Sequence, residues 1–311
     1  MTMVKPRALR PGAMLGIVSP ASAVPRELVE RGIAELQRLG YRTRLSPHTF
    51  DRGPLNYAGS VADRVADLHA AFADPEVDGI ICTRGGWGAA ELLPHLEPGL
   101  IRENPKAFLG YSDITTLHLW LEREANLVSF QAPMVASDLA KPEGVDLASW
   151  RNALSSESAW TLGAESGLRV LQPGNAEGVL RGGCVSIYVQ SLGTPYAAIP
   201  QGGVLFFEDV GVKPYQWDRM LLHLRYAGLL NGVKGLVFGD MRQCCPAEEQ
   251  ELMEVTLLYA LRGFAGPVGI GLRSGHVAAQ NITLPLGVQV ELNFADAANP
   301  QMHFVEAAVG V

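Results

Sequence analysis

The chain has 311 residues, of which 48% are hydrophobic and 18% are charged, and its formal net charge is −7. This composition suits a globular protein of one large or two medium domains and argues against disorder. The acidic balance, with Lys and Arg scattered along the chain, argues against a nucleic-acid-binding surface.

The sequence predicts a cytoplasmic protein that does not span a membrane. Its basic start, MTMVKPRALRPG, is followed by an apolar run that is too short for the core of a signal peptide. No apolar stretch approaches the ~20 residues that a spanning helix needs. Because there is also no C-x-x-C pair, we interpret the four cysteines as reduced and structural.

Strand-like and helix-like segments alternate over the first half of the chain. Short apolar segments predict strands at 14–22, 41–47, 77–86 and 106–112. Helical periodicity predicts helices at 25–40, 60–75 and 89–96. Strands that are apolar on both faces and alternate with helices predict a parallel sheet covered on both sides.

The pattern becomes less regular after Trp150. Residues 153–175 are polar, rich in Ser and Gly and without helical periodicity, which predicts a linker or irregular crossover. Beyond it we predict strands and helices at 204–210, 214–228, 233–241, 248–263, 267–276 and 288–294. The fold class is therefore an N-terminal parallel-sheet α/β domain over 1–152 and a smaller, less regular C-terminal α/β domain over 176–311. We expect the active site in a cleft between the two domains.

A glycine loop, TRGGWG at 83–88, joins the third predicted strand to a helix. Glycines there let backbone N–H groups face a site, next to the positive end of the following helix. The loop lacks the Lys-Ser/Thr of a P-loop, and the dinucleotide fingerprint G-x-G-x-x-G is absent. Three interpretations stay open: a phosphate cradle, a plain tight turn, and a donor loop for a developing oxyanion.

Ser112 stands where the fourth predicted strand enters a helix, in the sequence GYSD. Since parallel strands end at one edge of a sheet, Ser112 and the glycine loop should open at the same edge. A serine at such a corner can be an exposed nucleophile, although the usual elbow, G-x-S-x-G, has a glycine where this chain has Ile114. Ser followed by Asp also opens helices well, so an N-cap is the alternative.

A nucleophilic serine needs a base, usually a histidine that a carboxylate orients. His276 follows an apolar segment and a glycine, and Glu208 comes directly after the apolar strand segment VLFF. The order Ser112, Glu208, His276 is that of the α/β-hydrolase triads. The alternatives are a salt bridge from Glu208, for example to Arg219, and an ordinary polar role for His276 in its loop.

The other histidines are weaker candidates. His69, His95 and His118 lie within or at the end of predicted helices, and His48 lies in a loop without a nearby acid. The sequence has no H-E-x-x-H and no His pair at ligand spacing, so we predict no metal site.

These residues sit in longer segments that resemble the LD-carboxypeptidase family, the serine peptidases of family S66 that include muropeptide LD-carboxypeptidases and microcin C immunity peptidases. The similarity runs almost end to end, and GYSD together with FFED…DRML are its specific parts. The segments in family order are GIVSPAS, RGGWGAAELLP, PKAFLGYSDITTLHLWL, EGVLRGGCVSIYVQSLGTPY, VLFFEDVGVKPYQWDRMLLHL, GLVFGD and SGHVAAQNITLPLG.

The resemblance implies a role for each matching residue. Ser112 would be the nucleophile, Glu208 the acid that orients the base, and His276 the base. Backbone N–H groups of Gly86 and Asp113 would stabilise the oxyanion, with no metal or organic cofactor. The family's two α/β domains usually form a homodimer, so a homodimer is expected.

The activity that the resemblance implies is hydrolysis of the L,D peptide bond that holds the terminal D-Ala of a murein tetrapeptide, in peptidoglycan recycling. The alternative is a microcin C-type immunity peptidase, which cleaves a peptidyl-nucleotide amide. Arg84 is a candidate partner for the substrate carboxylate and Trp87 for a nucleotide base, although a salt bridge and packing are their ordinary roles. The chain departs from the family at 131–134, where His-Gly-Pro is common, and at Cys184, where Asn is common, which puts substrate detail in doubt.

Overall fold

A computed structural model describes residues 3–197 and 202–310 of the chain. It separates into two compact units. Unit 1 comprises Met1–Ser158, Ala279–Gly287 and Ala307–Val311, and unit 2 comprises Ala159–Ala278 and Val288–Glu306. Two short segments from the last part of the chain thus return to unit 1. The domain bounds predicted from the sequence, with a linker over 153–175, remain a prediction.

The elements of the described residues are numbered in chain order. The strands are β1 (Met14–Val18), β2 (Arg42–Leu45), β3 (Gly79–Cys82), β4 (Ala107–Gly110), β5 (Ser129–Gln131), β6 (Trp160–Leu162), β7 (Arg169–Gln172), β8 (Asn175–Cys184), β9 (Val204–Glu208), β10 (Gly235–Gly239), β11 (Val268–Leu272), β12 (Leu284–Leu286), β13 (Gln289–Asn293) and β14 (Gln301–Phe304). The α-helices are α1 (Arg26–Arg38), α2 (Val61–Ala73), α3 (Pro98–Glu103), α4 (Thr115–Trp120), α5 (Leu147–Leu154), α6 (Val185–Gln190), α7 (Pro214–Tyr226) and α8 (Gln250–Ala260).

Unit 1 is built on a six-stranded sheet with the order β12-β5-β4-β3-β1-β2. Strands β1 to β5 are parallel, and β12 adds an antiparallel edge beside β5. Every residue of β3 and β4 is buried, as expected of inner strands covered on both faces. The predicted parallel-sheet α/β fold is confirmed. The helix predicted at 89–96 is instead a 3₁₀ segment, Ala89–His95, with Pro94 inside it.

Helix α2 shows how the sequence pattern builds this layer. It begins after Ser60, whose hydroxyl accepts the backbone N–H of Asp63. Val65, Leu68 and Phe72 are buried, so the predicted apolar stripe faces the core. Arg64 on the same helix is also buried, although charged side chains are rarely so enclosed without partners.

Unit 2 is built on an eight-stranded mixed sheet with the order β6-β14-β13-β8-β9-β10-β11-β7. Its centre, β8 to β11, is parallel, and its flanking pairs are antiparallel. Strands β6 and β7 lie in the stretch that the sequence predicts as a linker or irregular crossover. They are only 3 and 4 residues long, so neither carries enough apolar alternation to be recognised.

Two further expectations can be compared with the structure. Cys82, Cys184, Cys244 and Cys245 are free thiols, as predicted. Among the described residues there is no helix with the length and apolar character that crossing a membrane requires.

Candidate active site

Ser112 lies at the corner between β4 and α4, in a 3₁₀ turn at Ser112–Ile114. Its backbone φ is 67°, a left-handed conformation that strains a residue with a Cβ. A strained strand-to-helix corner is typical of a nucleophile elbow. Neither the turn nor α4 has a side-chain cap, and the Ser112 hydroxyl makes no hydrogen bond within the described part of unit 1. The N-cap alternative therefore lacks the contact it needs.

The glycine loop packs against this corner. Strands β3 and β4 are parallel neighbours, so the loop after β3 and Ser112 after β4 leave the same edge of the sheet. A Cβ on Gly85 would lie 2.7 Å from the Ser112 Cβ and 3.2 Å from the backbone nitrogen of Asp113. Side chains do not tolerate such separations, so only glycine permits this approach.

Ser22 holds the other side of the glycine loop. Gly86 has a φ of +111°, and a Cβ there would lie 2.2 Å from the Ser22 Oγ. The Ser22 hydroxyl accepts the backbone N–H of Trp87 at 3.1 Å, and the Ser22 N–H donates to the Gly85 carbonyl at 3.4 Å. Sequence reasoning missed this residue, although a serine just after a buried parallel strand was an available signal.

Asp113, whose backbone N–H is an expected oxyanion donor, also makes a contact with its side chain. Its carboxylate accepts the backbone N–H of Ala89 at 2.9 Å, just after the glycine loop. Burial raises the pKa of the Asp113 carboxyl, while the Ala89 N–H and the charge of Arg64 act in the opposite direction. The carboxylate therefore fixes the distance between the loop and the Ser112 corner.

Arg64 connects the surrounding segments through hydrogen bonds of its guanidinium group. Its guanidinium donates to the carbonyls of Pro20 and Gly88 at 3.0 and 2.9 Å, and to the Glu91 carboxylate at 2.8 Å. These bonds join the loops after β1 and β3 to the 3₁₀ segment that follows. This role could not be predicted from the sequence, because these three partners lie 24 to 44 residues away along the chain.

Glu208 and His276 form a hydrogen-bonded pair in unit 2. The Oε2 atom of Glu208 accepts the backbone N–H of His276 at 2.9 Å and contacts its Nδ1 at 2.8 Å. An ionised carboxylate beside Nδ1 favours the tautomer with hydrogen on that atom, so Nε2 keeps its lone pair. The Glu208 side chain is 2% exposed and that of His276 is 20% exposed, so the ring remains accessible.

Gly275 makes this pair possible. Its φ is +92°, and a Cβ there would lie only 2.3 Å from the carboxyl carbon of Glu208. The neighbouring Asp209 has a different role, since its carboxylate accepts the N–H groups of Ser186 and Val210. The hydrogen bonds to the backbone and ring of His276 described above come from Glu208.

The two candidate substrate residues lie on the glycine loop. Arg84 is half-buried and forms neither an ion pair nor a hydrogen bond within the described part of unit 1. Trp87 is 51% exposed, and its indole N–H donates to the Leu55 carbonyl at 2.8 Å. Both side chains therefore remain available to a ligand.

His118 is a structural residue, as its place in a helix predicted. It is buried, and its ring nitrogens contact the Ser129 hydroxyl and the Gly110 carbonyl, each at 2.9 Å. Burial lowers the pKa of His118 to about 4, so the ring is neutral near pH 7. Its N–H supports the carbonyl of Gly110, two residues before Ser112.

His48 does have nearby acids, contrary to the expectation from sequence. Its Nδ1 contacts the Asp67 carboxylate at 2.9 Å, and Asp63 lies 3.7 Å from its Nε2. Ligand atoms of His48, Asp51 and Asp63 lie within 4.8 Å of one another, so this group could hold a metal ion. The acids on α2 approach His48 through tertiary packing, which a linear motif does not reveal.

Comparison with known proteins decides the family. A model of the LD-carboxypeptidase N-terminal domain matches residues 15–132, and a model of the LD-carboxypeptidase C-terminal domain matches residues 177–292. The chain belongs to the LD-carboxypeptidase family. Ser112 lies in the first matched region of this family member, and Glu208 and His276 lie in the second.

Curated relatives agree with this assignment. A probable murein peptide carboxypeptidase of Bacillus subtilis is 35% identical, over 94% of this chain and 92% of its own length. A murein tetrapeptide carboxypeptidase of Pseudomonas aeruginosa is 30% identical, over 88% of this chain and 91% of its own. This member of the LD-carboxypeptidase family is therefore a peptidase.

Solved structures agree with the fold. An MccF-like protein from Bacillus anthracis superposes with a TM-score of 0.88 at 25% identity, over 97% of this chain and 99% of its own. A muramoyltetrapeptide carboxypeptidase from Oxalobacter formigenes gives a TM-score of 0.82 at 26% identity, over 95% of this chain and 99% of its own. The two-domain α/β fold of the LD-carboxypeptidase family is thus shared along nearly the whole chain.

Proposed function

We propose that the chain is a serine LD-carboxypeptidase that releases the terminal D-Ala of a murein tetrapeptide, in peptidoglycan recycling. The hydrogen bond between Glu208 and the Nδ1 of His276 carries this proposal, because it prepares a histidine to act as a general base. The strained corner at Ser112 and the murein peptide relatives support it.

The first step is attack by Ser112 on the carbonyl of the L,D peptide bond. The Nε2 atom of His276 accepts the hydroxyl proton as the Oγ–carbon bond forms. Glu208 stabilises the imidazolium that results and keeps the ring in the required orientation.

The oxyanion that forms accepts hydrogen bonds from the backbone N–H groups of Gly86 and Asp113. The contacts of Ser22 and Ala89 with this region support such a role, because donors that are already fixed need no reorganisation during the reaction. Loss of one oxyanion donor typically lowers the rate by ~10²–10³.

The second half of the reaction releases both products. His276 returns its proton to the nitrogen of D-Ala as the peptide C–N bond breaks, leaving an acyl ester on Ser112. Water then attacks the ester, and His276 takes a proton from it before reprotonating the serine. Arg84 is the proposed partner of the D-Ala carboxylate. Cytoplasmic location, a homodimer and the absence of a cofactor remain predictions.

Release of D-Ala from a purified murein tetrapeptide tests the proposed function. Wild-type protein should release it, and the Ser112→Ala variant should lose at least ~10³-fold in rate. Ser158→Ala changes an exposed serine of unit 1 and should keep the wild-type rate. Near-normal release by Ser112→Ala would falsify the assignment of the nucleophile.

A microcin C-type peptidase is the second candidate. The MccF-like structure and the half-exposed indole of Trp87, which could stack on a nucleotide base, favour it. A peptidyl-nucleotide amide should be assayed beside the tetrapeptide. Turnover of the nucleotide substrate alone, with a loss on Trp87→Ala, would select this function in place of the first.

A further inference from the structure

A histidine and two carboxylates lie close together at the end of β2, outside the candidate active site. His48 stands three residues after β2, Asp51 follows it in the same loop, and Asp63 lies in the first turn of α2. One ligand atom from each of these three residues lies within 4.8 Å of the other two. Imidazole and carboxylate groups both bind divalent transition metals, and Zn²⁺ accepts either as a ligand.

The spacing of two of these ligand atoms is close to that of a coordinated pair. The Nε2 atom of His48 lies 3.7 Å from the Oδ1 atom of Asp63, which is too long for a hydrogen bond. Two ligands that each lie about 2.1 Å from a tetrahedral zinc ion are about 3.4 Å apart. The pair therefore needs to close by only roughly 0.3 Å to hold an ion.

Asp67 fixes the histidine ring in the orientation that a metal ligand needs. Its carboxylate lies 2.9 Å from the Nδ1 of His48 and accepts the backbone N–H of the same residue at 3.2 Å. The Asp67 side chain is 6% exposed, so the protein holds this carboxylate in place. A metal-binding histidine almost always donates its other ring N–H to such a partner. With hydrogen on Nδ1, the lone pair of Nε2 is free on the side where Asp63 lies.

The carboxylates give this group an excess of negative charge. Asp51, Asp63 and Asp67 all act electrostatically on His48, and in the described part of the chain no lysine or arginine forms an ion pair with any of the three. The Asp51 side chain is exposed and accepts no hydrogen bond from the described residues, so it can turn toward an ion. A divalent cation balances this charge and takes the three groups as ligands.

An ion bound here would fix both ends of a surface segment. Asp51 and Asp63 bracket residues 52–62, and the carbonyl of Leu55 in this segment accepts the indole N–H of Trp87 at 2.8 Å. A metal that joins the two ends of a loop lowers the number of conformations the loop can adopt. The ion would therefore stabilise the segment that supports Trp87.

This group is distant from the reaction centre of unit 1. The strand order β4-β3-β1-β2 places three strand spacings, roughly 14 Å, between β2 and the strand that leads into Ser112. An ion beside β2 is too far away to polarise a carbonyl that Ser112 attacks. Its role is therefore structural.

We propose that His48, Asp51 and Asp63 bind a structural Zn²⁺ ion, with one water molecule as the fourth ligand. Asp67 positions the His48 ring and does not contact the ion. Mg²⁺ and Ca²⁺ prefer sites with six or more ligands, nearly all of them oxygen, so this group discriminates against both. The ion stabilises residues 52–62 and takes no part in hydrolysis.

Titration of the chelator-treated protein with ZnCl₂, followed by calorimetry, tests this site. Wild-type protein should bind Zn²⁺ with a Kd of about 1 μM or below, and MgCl₂ and CaCl₂ should bind at least ~100-fold more weakly. Asp51→Asn changes an exposed side chain that has no hydrogen bond to lose, so it should fold normally and bind Zn²⁺ at least ~100-fold more weakly. His48→Gln should show a similar loss.

Two further variants separate the ligands from their surroundings. Asp67→Asn keeps all three ligands but removes the charge that orients the ring, and should weaken Zn²⁺ binding by about 10- to 100-fold. His95→Gln removes an exposed histidine outside the group and should keep the wild-type affinity.

Amide hydrogen exchange measures the effect on the loop. Saturating Zn²⁺ should slow exchange over residues 52–62 in wild-type protein and have no effect there in Asp51→Asn. Unchanged exchange in zinc-bound wild-type protein would refute the stabilising role.

A wild-type Kd for Zn²⁺ above ~100 μM would overturn the proposed site. Wild-type affinity in either Asp51→Asn or His48→Gln would overturn it too, because the ion would then lie elsewhere, for example at the partly exposed Cys245. Neither result depends on whether the protein hydrolyses a murein peptide.

Discussion

Gly85 contacts Ser112 so closely that a Cβ on residue 85 would lie 2.9 Å from the Ser112 Oγ. The glycine loop and the serine corner therefore form one packed unit, in which neither residue can shift without the other. This contact explains how a serine with a left-handed backbone is held at the sheet edge without a second glycine in its own motif.

Gly85→Ala should displace the serine hydroxyl and lower kcat/KM by about 100-fold, because misplacement by about 1 Å is enough for such a loss. Tetrapeptide hydrolysis by the purified variant measures this. The matched control is Gly99→Ala, since a Cβ there meets nothing within 4 Å. An active Gly85→Ala enzyme would show that the contact does not set the serine position.

Gly275→Ala should separate Glu208 from His276, because the added Cβ overlaps the Glu208 carboxyl. We expect a loss in kcat of about 100-fold or more. Gly193→Ala provides the control: its φ of +79° imposes similar backbone strain, but no atom lies within 4 Å of its Cβ. If both variants lose activity equally, strain rather than the overlap is responsible.

Glu208→Gln should leave the fold intact and remove the charge that stabilises the imidazolium. An amide beside Nδ1 also permits the wrong tautomer, so kcat should fall by on the order of 10³–10⁴. Steady-state kinetics on the tetrapeptide give the value, with Glu251→Gln at an exposed position of α8 as the control. A loss that appears only in KM contradicts the orienting role.

His118 should make stability depend on acid pH. Its pKa is about 4 in the folded protein and near the ordinary 6.5 in the unfolded chain. The unfolded state therefore binds the proton first as pH falls below 6.5, and roughly 3 kcal/mol of stability is lost by about pH 4. Above pH 6.5 this contribution does not change with pH.

Urea unfolding at a series of pH values measures this dependence. His118→Gln should flatten the curve between pH 6.5 and 4 relative to wild type. His95→Gln, at an exposed position, should keep the wild-type slope. An unchanged slope in His118→Gln would assign the acid sensitivity to other groups.

Local sequence was sufficient for much of the fold. Alternating apolar strands and amphipathic helices predicted the parallel sheet of unit 1, and the strand-end positions of Ser112 and Glu208 followed from the same pattern. Strand β12 was not predicted, because three residues carry no period and its partner β5 lies more than 150 residues earlier.

The residues that hold the candidate site together were harder to predict. Ser22 and Arg64 act through bonds to loops that are distant in sequence, and Gly85 acts through its lack of a side chain. Such roles depend on tertiary distances, which no single-sequence motif contains. The chemistry-bearing side chains were recognisable because their types and strand-end positions are themselves informative.

Because residues near 284 belong to unit 1, this unit cannot finish folding until the ribosome has synthesised them. Residues 284–286 close the sheet edge at β5, and Gly310 hydrogen-bonds to Pro6 and Ala8. A nascent chain that stops before residue 284 leaves β5 as an open edge, which invites aggregation. Loss of residues 284–310 thus damages the unit that carries Ser112, although the nucleophile itself lies far earlier in the chain.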